Sequence, residues 1–520
     1  MGISKSKFTA YSQCPKRMWM EINKPELAEI SSSVEARFET GTEVGIMAQK
    51  LFGEPVSAVV LNEDGTQNLT AMVRMTEKLL TNNVPVVVEA SFSYDDCYCA
   101  VDILRNVGFN EYELYEVKSS THVAGDGKDF EKKVETYLPD VAYQKWVVEK
   151  CGYTVKSVNV VCLNSEYVLP ENKDIDINQL FVVLDMTSEI DGEVMKHIED
   201  NIEDAKKMAE TATEPEMKLW TGCKKPYDCP FMKYCIKNNG IPELSVLNLY
   251  RAQWKKKIEY LNKDIITYED VQPLVKSETQ KMQIDCTINN KARINCEGIK
   301  GFLSTLSYPL YFLDFETMQC AVPEYAGSHP YQQIPFQYSL HIMKNRDDKT
   351  MEHREFLGNP DEDPRRALAE QLVNDIPDNV CVLAYNKSFE CTRIHEMADL
   401  YPDLAPHLTC IENNIVDLMV PFTNCCYYLP AMKDSFSIKS VLPALYPNSD
   451  ELNYHNLNEN VQNGAQAMNV FPAMRTMNES QRAEMRKALL AYCKLDTLAM
   501  VRVLDKLYEA VSGQGVSLLD

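Results

Sequence analysis

The sequence predicts an α/β protein made of two units joined by a helical segment, and three observations predict it. At 520 residues the chain is too long for one hydrophobic core. Short apolar and β-branched runs are interleaved with helical periodicities in both halves, the order expected of sheets covered by helices. Between them Leu247, Tyr250, Trp254, Ile258 and Leu261 recur at helical spacing, beside Lys255, Lys256 and Lys257. The expected division is therefore 1–240, a connector over 241–301 and 302–520. The connector either lies along a substrate or presents a solvated face.

In the first unit, helical patterns run over 4–20 and 34–51, followed by strands over 84–88, 97–104 and 112–117. A helix over 139–150 stops near Gly152, a strand covers 158–163, and an acidic amphipathic helix covers 191–211. After the connector, weak strand or loop content is expected up to Gly298 and Gly301. The second unit opens on an apolar strand at Leu310. A strand over 338–342, a helix over 367–373, a strand over 380–385 and a long helix over 479–510 follow.

Composition narrows the function. Hydrophobic residues at 45% and charged residues at 25% are those of a folded soluble chain. No run of about 18 apolar residues predicts a transmembrane helix. The start Met1-Gly2-Ile3-Ser4-Lys5-Ser6-Lys7-Phe8 lacks the apolar core of a signal peptide, so a cytoplasmic protein without a membrane partner is expected. A formal net charge of −23 argues against a generic nucleic-acid coat, which would be basic, but not against an enzyme with acids at its site. Seventeen cysteines, in a compartment where disulfides are rare, are either buried fillers or partly metal ligands.

The strand Leu310-Tyr311-Phe312-Leu313 leads into Asp314-Phe315-Glu316, and period-2 geometry puts both carboxylates on one side. Two such acids repel, and either a divalent metal offsets the repulsion or both are solvated at an exposed strand end. A second apolar strand ends in Asn386-Lys387-Ser388-Phe389-Glu390, and Tyr492 and Asp496 share one face of a helix. Four acids from two strands and a helix can hold two divalent ions about 4 Å apart. These segments resemble the three exonuclease motifs of the DnaQ-like, ribonuclease-H-fold 3′→5′ exonucleases, in the branch with tyrosine in the third motif. The resemblance implies Mg2+ or Mn2+ held by Asp314, Glu316, Glu390 and Asp496. It also implies a water oriented by Tyr492, and substrate contacts at Asn386 and at Lys439 of Ser437-Ile438-Lys439. The chain departs from the family pattern in carrying Glu390 where aspartate is usual.

In the first unit Cys14 stands far from Cys223, Cys229 and Cys235, a set of thiols that suits zinc or an iron–sulfur cluster. Between them lie Glu89, Asp102 in Val101-Asp102-Ile103-Leu104, and Glu116 and Lys118 in Tyr115-Glu116-Val117-Lys118. Asp102 and Glu116 on adjacent strands suit a divalent metal, with Lys118 steadying a phosphate or the nucleophilic water. This arrangement resembles the RecB-like PD-(D/E)XK nucleases that carry a [4Fe–4S] cluster. The resemblance implies a restriction-endonuclease-like fold, cluster ligation by the four cysteines and a DNA contact at Gln144. Glu43, in Gly41-Thr42-Glu43-Val44-Gly45, stands where many members carry a metal-binding histidine, and could substitute for it; Val148 replaces a usual tyrosine.

The combined expectation is a metal-dependent DNA nuclease with a RecB-like first unit and a ribonuclease-H-like second unit, in DNA repair or antiviral defence. A nucleic-acid-binding or assembly protein with one inactive half and an RNA-trimming exonuclease are the alternatives.

Overall fold

The structure, a computed structural model, describes residues 2–29, 32–123, 125–348 and 351–512. The chain is mixed helix and sheet and divides into two units. The first comprises Met1–Gly240 with Cys320–Gln332, the second Ile241–Gln319 with Gln333–Asp520. Among the described residues no helix is long and apolar enough to cross a membrane.

The first unit begins with β1 (Ile3–Ser4), α1 (Lys5–Gln13) and α2 (Pro15–Asn23). The single helix expected over 4–20 is broken at Cys14, whose extended backbone (φ −164, ψ 119) precedes Pro15. Proline disfavours helical geometry in the residue before it. Next come α3 (Ser32–Ala48), β2 (Val56–Ser57) and α4 (Leu69–Thr81). The sequence reading lacks α4, although Met72, Thr76 and Leu80 form a buried stripe along it.

Strands β3 (Val86–Tyr94), β4 (Cys97–Gly108) and β5 (Glu111–His122) form an antiparallel meander. Asp95 and Asp96, at φ 46 and 61, turn the first hairpin in the left-handed pair of conformations that a two-residue loop favours. Helix α5 (Gly127–Lys150) starts well before Pro139, which sequence alone placed at its beginning; Asp126 caps it by accepting from the Lys128 and Asp129 amides. This helix carries the chain to β6 (Thr154–Asn164), parallel to β5, and β7 (Phe181–Asp185), α6 (Gly192–Glu210) and α7 (Met232–Asn238) follow. The sheet order is β2-β3-β4-β5-β6-β7, with β1 beside β4. Along β4, Cys97, Cys99, Val101 and Ile103 are buried, while Tyr98, Ala100 and Asp102 on the other face are half-buried.

The segment expected as a separate connector groups with the second unit. Helix α8 (Trp254–Leu261) lies where helical spacing was expected, while α9 (Glu278–Ile288) and α10 (Cys296–Leu303) stand where weak strand or loop content was expected, which survives only as the two-residue strand Arg293–Ile294. Val246, Leu249, Tyr268, Val271, Val275 and Ile284 give this stretch its own small core. The basic run is partly committed within the segment, since Lys256 pairs with Glu259 and Lys257 donates to the Leu247 carbonyl.

The main sheet of the second unit contains β8 (Leu310–Gln319), β9 (Gln333–Met343), β10 (Glu352–Leu357), β11 (Cys381–Ala384) and β12 (Ile415–Asp417) in the order β10-β9-β8-β11-β12. Strand β9 is antiparallel to its neighbours β8 and β10, β11 pairs parallel with β8, and β12 pairs parallel with β11. Helices of this unit include α11 (Arg365–Asp375), α12 (Ser388–Leu400), α13 (Ile438–Leu445), α14 (Gly464–Ala473) and α15 (Glu479–Val511). Leu310, Phe312 and Leu313 are fully buried, which is why this strand reads as a continuous apolar run.

Candidate functional site

In the first unit, Ile103 pairs with Tyr115, so the next step of the antiparallel register brings Asp102 to Glu116. Asp102 Oδ2 accepts the Val117 amide at 2.7 Å, which fixes the carboxylate at the strand edge. Glu116 is 2% exposed and lies among three donors. Lys118 Nζ reaches its Oε1 at 2.6 Å, Gln144 Nε2 its Oε2 at 2.8 Å, and Lys5 Nζ, from α1, both oxygens at 2.8 and 3.0 Å. Asp140 on α5 closes the network, accepting from Lys118 at 2.6 Å and from Gln144 at 3.0 Å.

Burial, and then Glu116, push the Asp102 carboxyl up to about 7, against the pull of Lys5 and Lys118. Burial would raise Glu116 too, but the Lys118 and Lys5 ammonium groups outweigh it and hold this carboxyl well below its ordinary range. Glu89 holds a left-handed backbone (φ 55) within β3; burial raises its carboxyl, with Lys5 opposing and Glu116 adding.

The structure thus brings Asp102, Glu116, Lys118 and Gln144 together. Gln144, expected at the substrate, is instead fully buried and holds the carboxylates. Glu43 is exposed on α3, its carboxyl is raised by burial and by Glu324, and it takes no part in the Glu116 network. Lys5 and Asp140 were missed by sequence reasoning. Asp140 had a signal, four residues before Gln144 and on the same helix face; Lys5, over a hundred residues from Glu116, had none.

Cys14, Cys223, Cys229 and Cys235 line one pocket with Met20, Met217 and Phe231, and all four are free thiols. Burial pushes Cys223 up to about 11, with Cys14 and Cys229 adding to it, and pushes Cys235 up to about 11 against Lys16. Four convergent thiols fit a metal group in their donor chemistry. They are not, however, a set whose donor atoms all lie within 4.8 Å; among the described residues that set is Asp314, Glu316 and Cys493.

In the second unit, Asp314 and Glu316 pair with Ser339 and Gln337 across β8 and β9. Helix α15 is clamped on the same strand, since Gln337 Nε2 donates to the Leu489 carbonyl at 2.8 Å and the Ser339 and Thr497 hydroxyls bond at 2.7 Å. That clamp places Tyr492, Cys493 and Asp496 beside the two acids. The Cys493 thiol lies 3.7 Å from Asp314 Oδ2. Glu390 enters from the first turn of α12, 3% exposed, and its Oε2 is buried without a hydrogen-bond partner. Tyr454 donates to Asp496 Oδ1 at 2.5 Å, and Lys439 Nζ donates to the Tyr492 hydroxyl at 2.7 Å while lying over both rings.

Burial, then Asp496, Glu316 and Glu390, hold the Asp314 carboxyl far above its ordinary value. Glu316 is raised by burial, Asp496 and Glu390 against Lys439. Burial and Asp417 bring Glu390 up to about 8, while its own backbone amide and Arg393 oppose. Asp496 is raised by burial, with Tyr454, Lys439 and Tyr492 opposing. Buried acids in this density ionise together only if a cation joins them, so the residues fit a divalent ion.

Asp314, Glu316, Tyr492 and Asp496 lie together, and Glu390 is near enough to raise the Asp314 and Glu316 carboxyls. Lys439 is committed to Tyr492 rather than to an open surface. Asn386 sits exposed in a left-handed turn (φ 66), and its amide donates to Asp417 Oδ1 at 2.9 Å. Asp417 and Tyr454 were missed. Asp417 carried a readable signal, an acid closing the apolar pair Ile415-Val416; Tyr454 lies in an irregular stretch that carried none.

Fold and sites together define a mixed α/β protein with two internal carboxylate clusters, each tied to lysine. A family described as a domain of unknown function, DUF2779, matches residues 311–437, a span that includes Asp314, Glu316, Glu390 and Asp417. The chain is 23% identical over 445 residues to "Uncharacterized protein MG366" of Mycoplasma genitalium, covering 76% of this chain and 65% of that protein. It is 29% identical over 210 residues to the "Uncharacterized protein MG366 homolog" of Mycoplasma pneumoniae, covering 37% of this chain and 31% of the relative. A third relative, "Uncharacterized protein UU173" of Ureaplasma parvum, is 25% identical over 268 residues, 47% of this chain and 37% of its own length. Each match spans less than two thirds of the relative's length.

Proposed function

We propose that the protein is a metal-dependent nuclease acting on DNA, with a RecB-like PD-(D/E)XK first unit and a DnaQ-like 3′→5′ exonuclease second unit. The observation that carries this reading is the buried group Asp314, Glu316, Glu390 and Asp496 beside Tyr492, with an orphan oxygen on Glu390. The strand order β10-β9-β8-β11-β12, antiparallel then parallel, supports a ribonuclease-H-like second unit. The meander β3-β4-β5, followed by α5 and a parallel β6, supports a restriction-endonuclease-like first unit.

Asp314, Glu316, Glu390 and Asp496 would hold Mg2+ or Mn2+ in the second unit, and Asp102 and Glu116 in the first. When bound, such an ion lowers the pKa of water and stabilises charge on a phosphate. The Tyr492 hydroxyl, fixed by Lys439, orients the attacking water. Lys118, already bonded to Glu116 and Asp140, stands beside the first pair of acids and would steady a phosphate or the attacking water. The four cysteines would hold a [4Fe–4S] cluster. Zinc, with Zn–S bonds of about 2.3 Å, is the other group that four such thiols suit, and the colour of the purified protein separates the two.

The test is digestion of end-labelled single- and double-stranded DNA and matched RNA, with Mg2+ or Mn2+, by the wild type, Asp102→Asn and Asp314→Asn. Asp314→Asn is expected to slow 3′ trimming by about a hundredfold or more, the scale of losing an essential transition-state contact. Cleavage unaltered by either change overturns the enzymatic reading, and faster digestion of RNA overturns the preference for DNA. A second reading, a binding module with an inactive first site, is favoured by the crowding of donors on Glu116. It requires that Asp102→Asn change nothing while Asp314→Asn abolishes cleavage.

A further inference from the structure

We propose that Lys5 is a built-in counter-cation of the first-unit site and must leave Glu116 before a divalent ion binds there. The proposal rests on the nuclease reading of that site. A carboxylate offers about four acceptor positions. Those of Glu116 are taken by Lys5 on both oxygens, Lys118 on Oε1 and Gln144 on Oε2. A metal needs one of these oxygens, so one donor has to yield.

Lys5 is the donor positioned to yield. Its contacts with Glu116 are 2.8 and 3.0 Å, and its approach to Asp140 is 3.8 Å. Lys118 holds Glu116 and Asp140 at 2.6 Å each from a rigid strand. Gln144 is neutral and fully buried, with no route out. The Lys5 side chain retains 26% of its exposure against 22% for Lys118, so the two lysines differ in how tightly they are held rather than in access to water, and Lys5, with the longer contacts, is the one that yields.

The backbone beneath Lys5 is anchored, which returns the side chain to the same place. Ile3 pairs with Cys97 in β4 and its carbonyl accepts from the Tyr143 hydroxyl, and Phe8 stacks on Tyr143 with ring centroids 4.7 Å apart. Ser4 caps α1. An anchored base and a releasable charge make Lys5 a stand-in cation that neutralises Glu116 in the metal-free protein and sets how tightly metal is held.

Full-length protein carrying Asp314→Asn and Asp496→Asn, which silence the second site, is titrated with Mn2+ by calorimetry and by electron paramagnetic resonance. Adding Lys5→Gln is expected to tighten Mn2+ binding roughly tenfold or more, since a competing charge is removed, and Lys5→Arg to leave it unchanged. The rise in melting temperature on adding Mn2+ should also be larger in Lys5→Gln than in its parent. Equal or weaker binding by Lys5→Gln, or none, overturns the proposal; if that variant fails to fold without metal, refolding it with Mn2+ present supports the proposal and failure to refold overturns it. Adding Asp102→Asn to the parent separates the two ideas. Mn2+ binding that survives Asp102→Asn overturns the nuclease reading of this unit, whereas binding lost with Asp102→Asn but untouched by Lys5→Gln overturns the counter-cation alone.

Discussion

Tyr492 and Asp496 stand one turn apart on α15, and each is tuned by a partner distant in sequence. Tyr454 donates to Asp496 and Lys439 donates to Tyr492. A hydrogen bond to a charged acceptor stabilises it by about 1.5–3 kcal/mol. Tyr454→Phe therefore raises the Asp496 carboxyl further, because the lost bond favoured the ionised form. The acid limb of the pH profile for 3′ digestion is expected to move to higher pH, with rates about tenfold lower near pH 6. A profile that coincides with the wild type would remove Tyr454 from the site. Lys439→Met should lower the rate across the whole range, since the hydroxyl it holds would no longer be fixed. At this scale the acids were legible because each closes an apolar strand or shares a helix face with another motif residue. Tyr454, Lys5 and Asp417 were not, since nothing local to them implies a partner so far along the chain.

The break between α1 and α2 gives Cys14 its place in the cysteine pocket. If the proposed iron–sulfur group is held there, Cys14→Ser is expected to lose its visible absorbance and to lower the melting temperature of the first unit, because Cys14 as a ligand would close a very long loop. An unchanged spectrum would separate Cys14 from the cluster. Since burial holds Cys223 and Cys235 up at about 11, loading requires proton release and should proceed further at pH 8 than at pH 6.5. On α14, a Cβ added to Gly464 would come 3.7 Å from Glu316 Oε2 and 3.9 Å from the Tyr492 hydroxyl. Alanine fits there; Gly464→Val should obstruct the second site and slow 3′ digestion while circular dichroism stays unchanged. Strongly periodic elements such as β4, β5, β8 and α15 were readable from sequence. Helix α5 was placed late because Pro139, tolerated inside it, reads as a start, and α9 and α10 read as loop because their apolar residues find partners only on folding, Ile284 in the small core of this segment and Cys286, Ile299 and Phe302 in the larger core of the second unit.

Across the whole molecule, each unit carries a carboxyl held above its unfolded value, Asp102 at about 7 and Glu390 at about 8. A raised acid contributes stability while protonated, fully present below its unfolded value near 4 and lost as pH climbs through the folded value. Glu116 has the opposite sign, its contribution arising only above its unfolded value. In chelator, the melting temperature should therefore fall as pH rises from about 5 to 8. Mg2+ or Mn2+ should restore it, most at pH 8, where the ionised carboxylates outnumber the lysines beside them. A melting temperature that rises through this window in chelator would contradict the buried-acid description of both clusters.

By itself the sequence determined the mixture of helices and strands and the placing of acids at the ends of apolar runs, but not that Cys320–Gln332 groups with the first unit. These follow from periodicity and from acids placed at the ends of apolar strands, which are local properties of the chain. Only the tertiary structure decided which acids meet, that Glu390 keeps an unpartnered oxygen, and that Lys5 reaches Glu116. It also assigned the supposed connector to the second unit. The reason is physical: burial, charge coupling and hydrogen-bond saturation belong to pairs of groups brought together by folding, and no single stretch of sequence carries them.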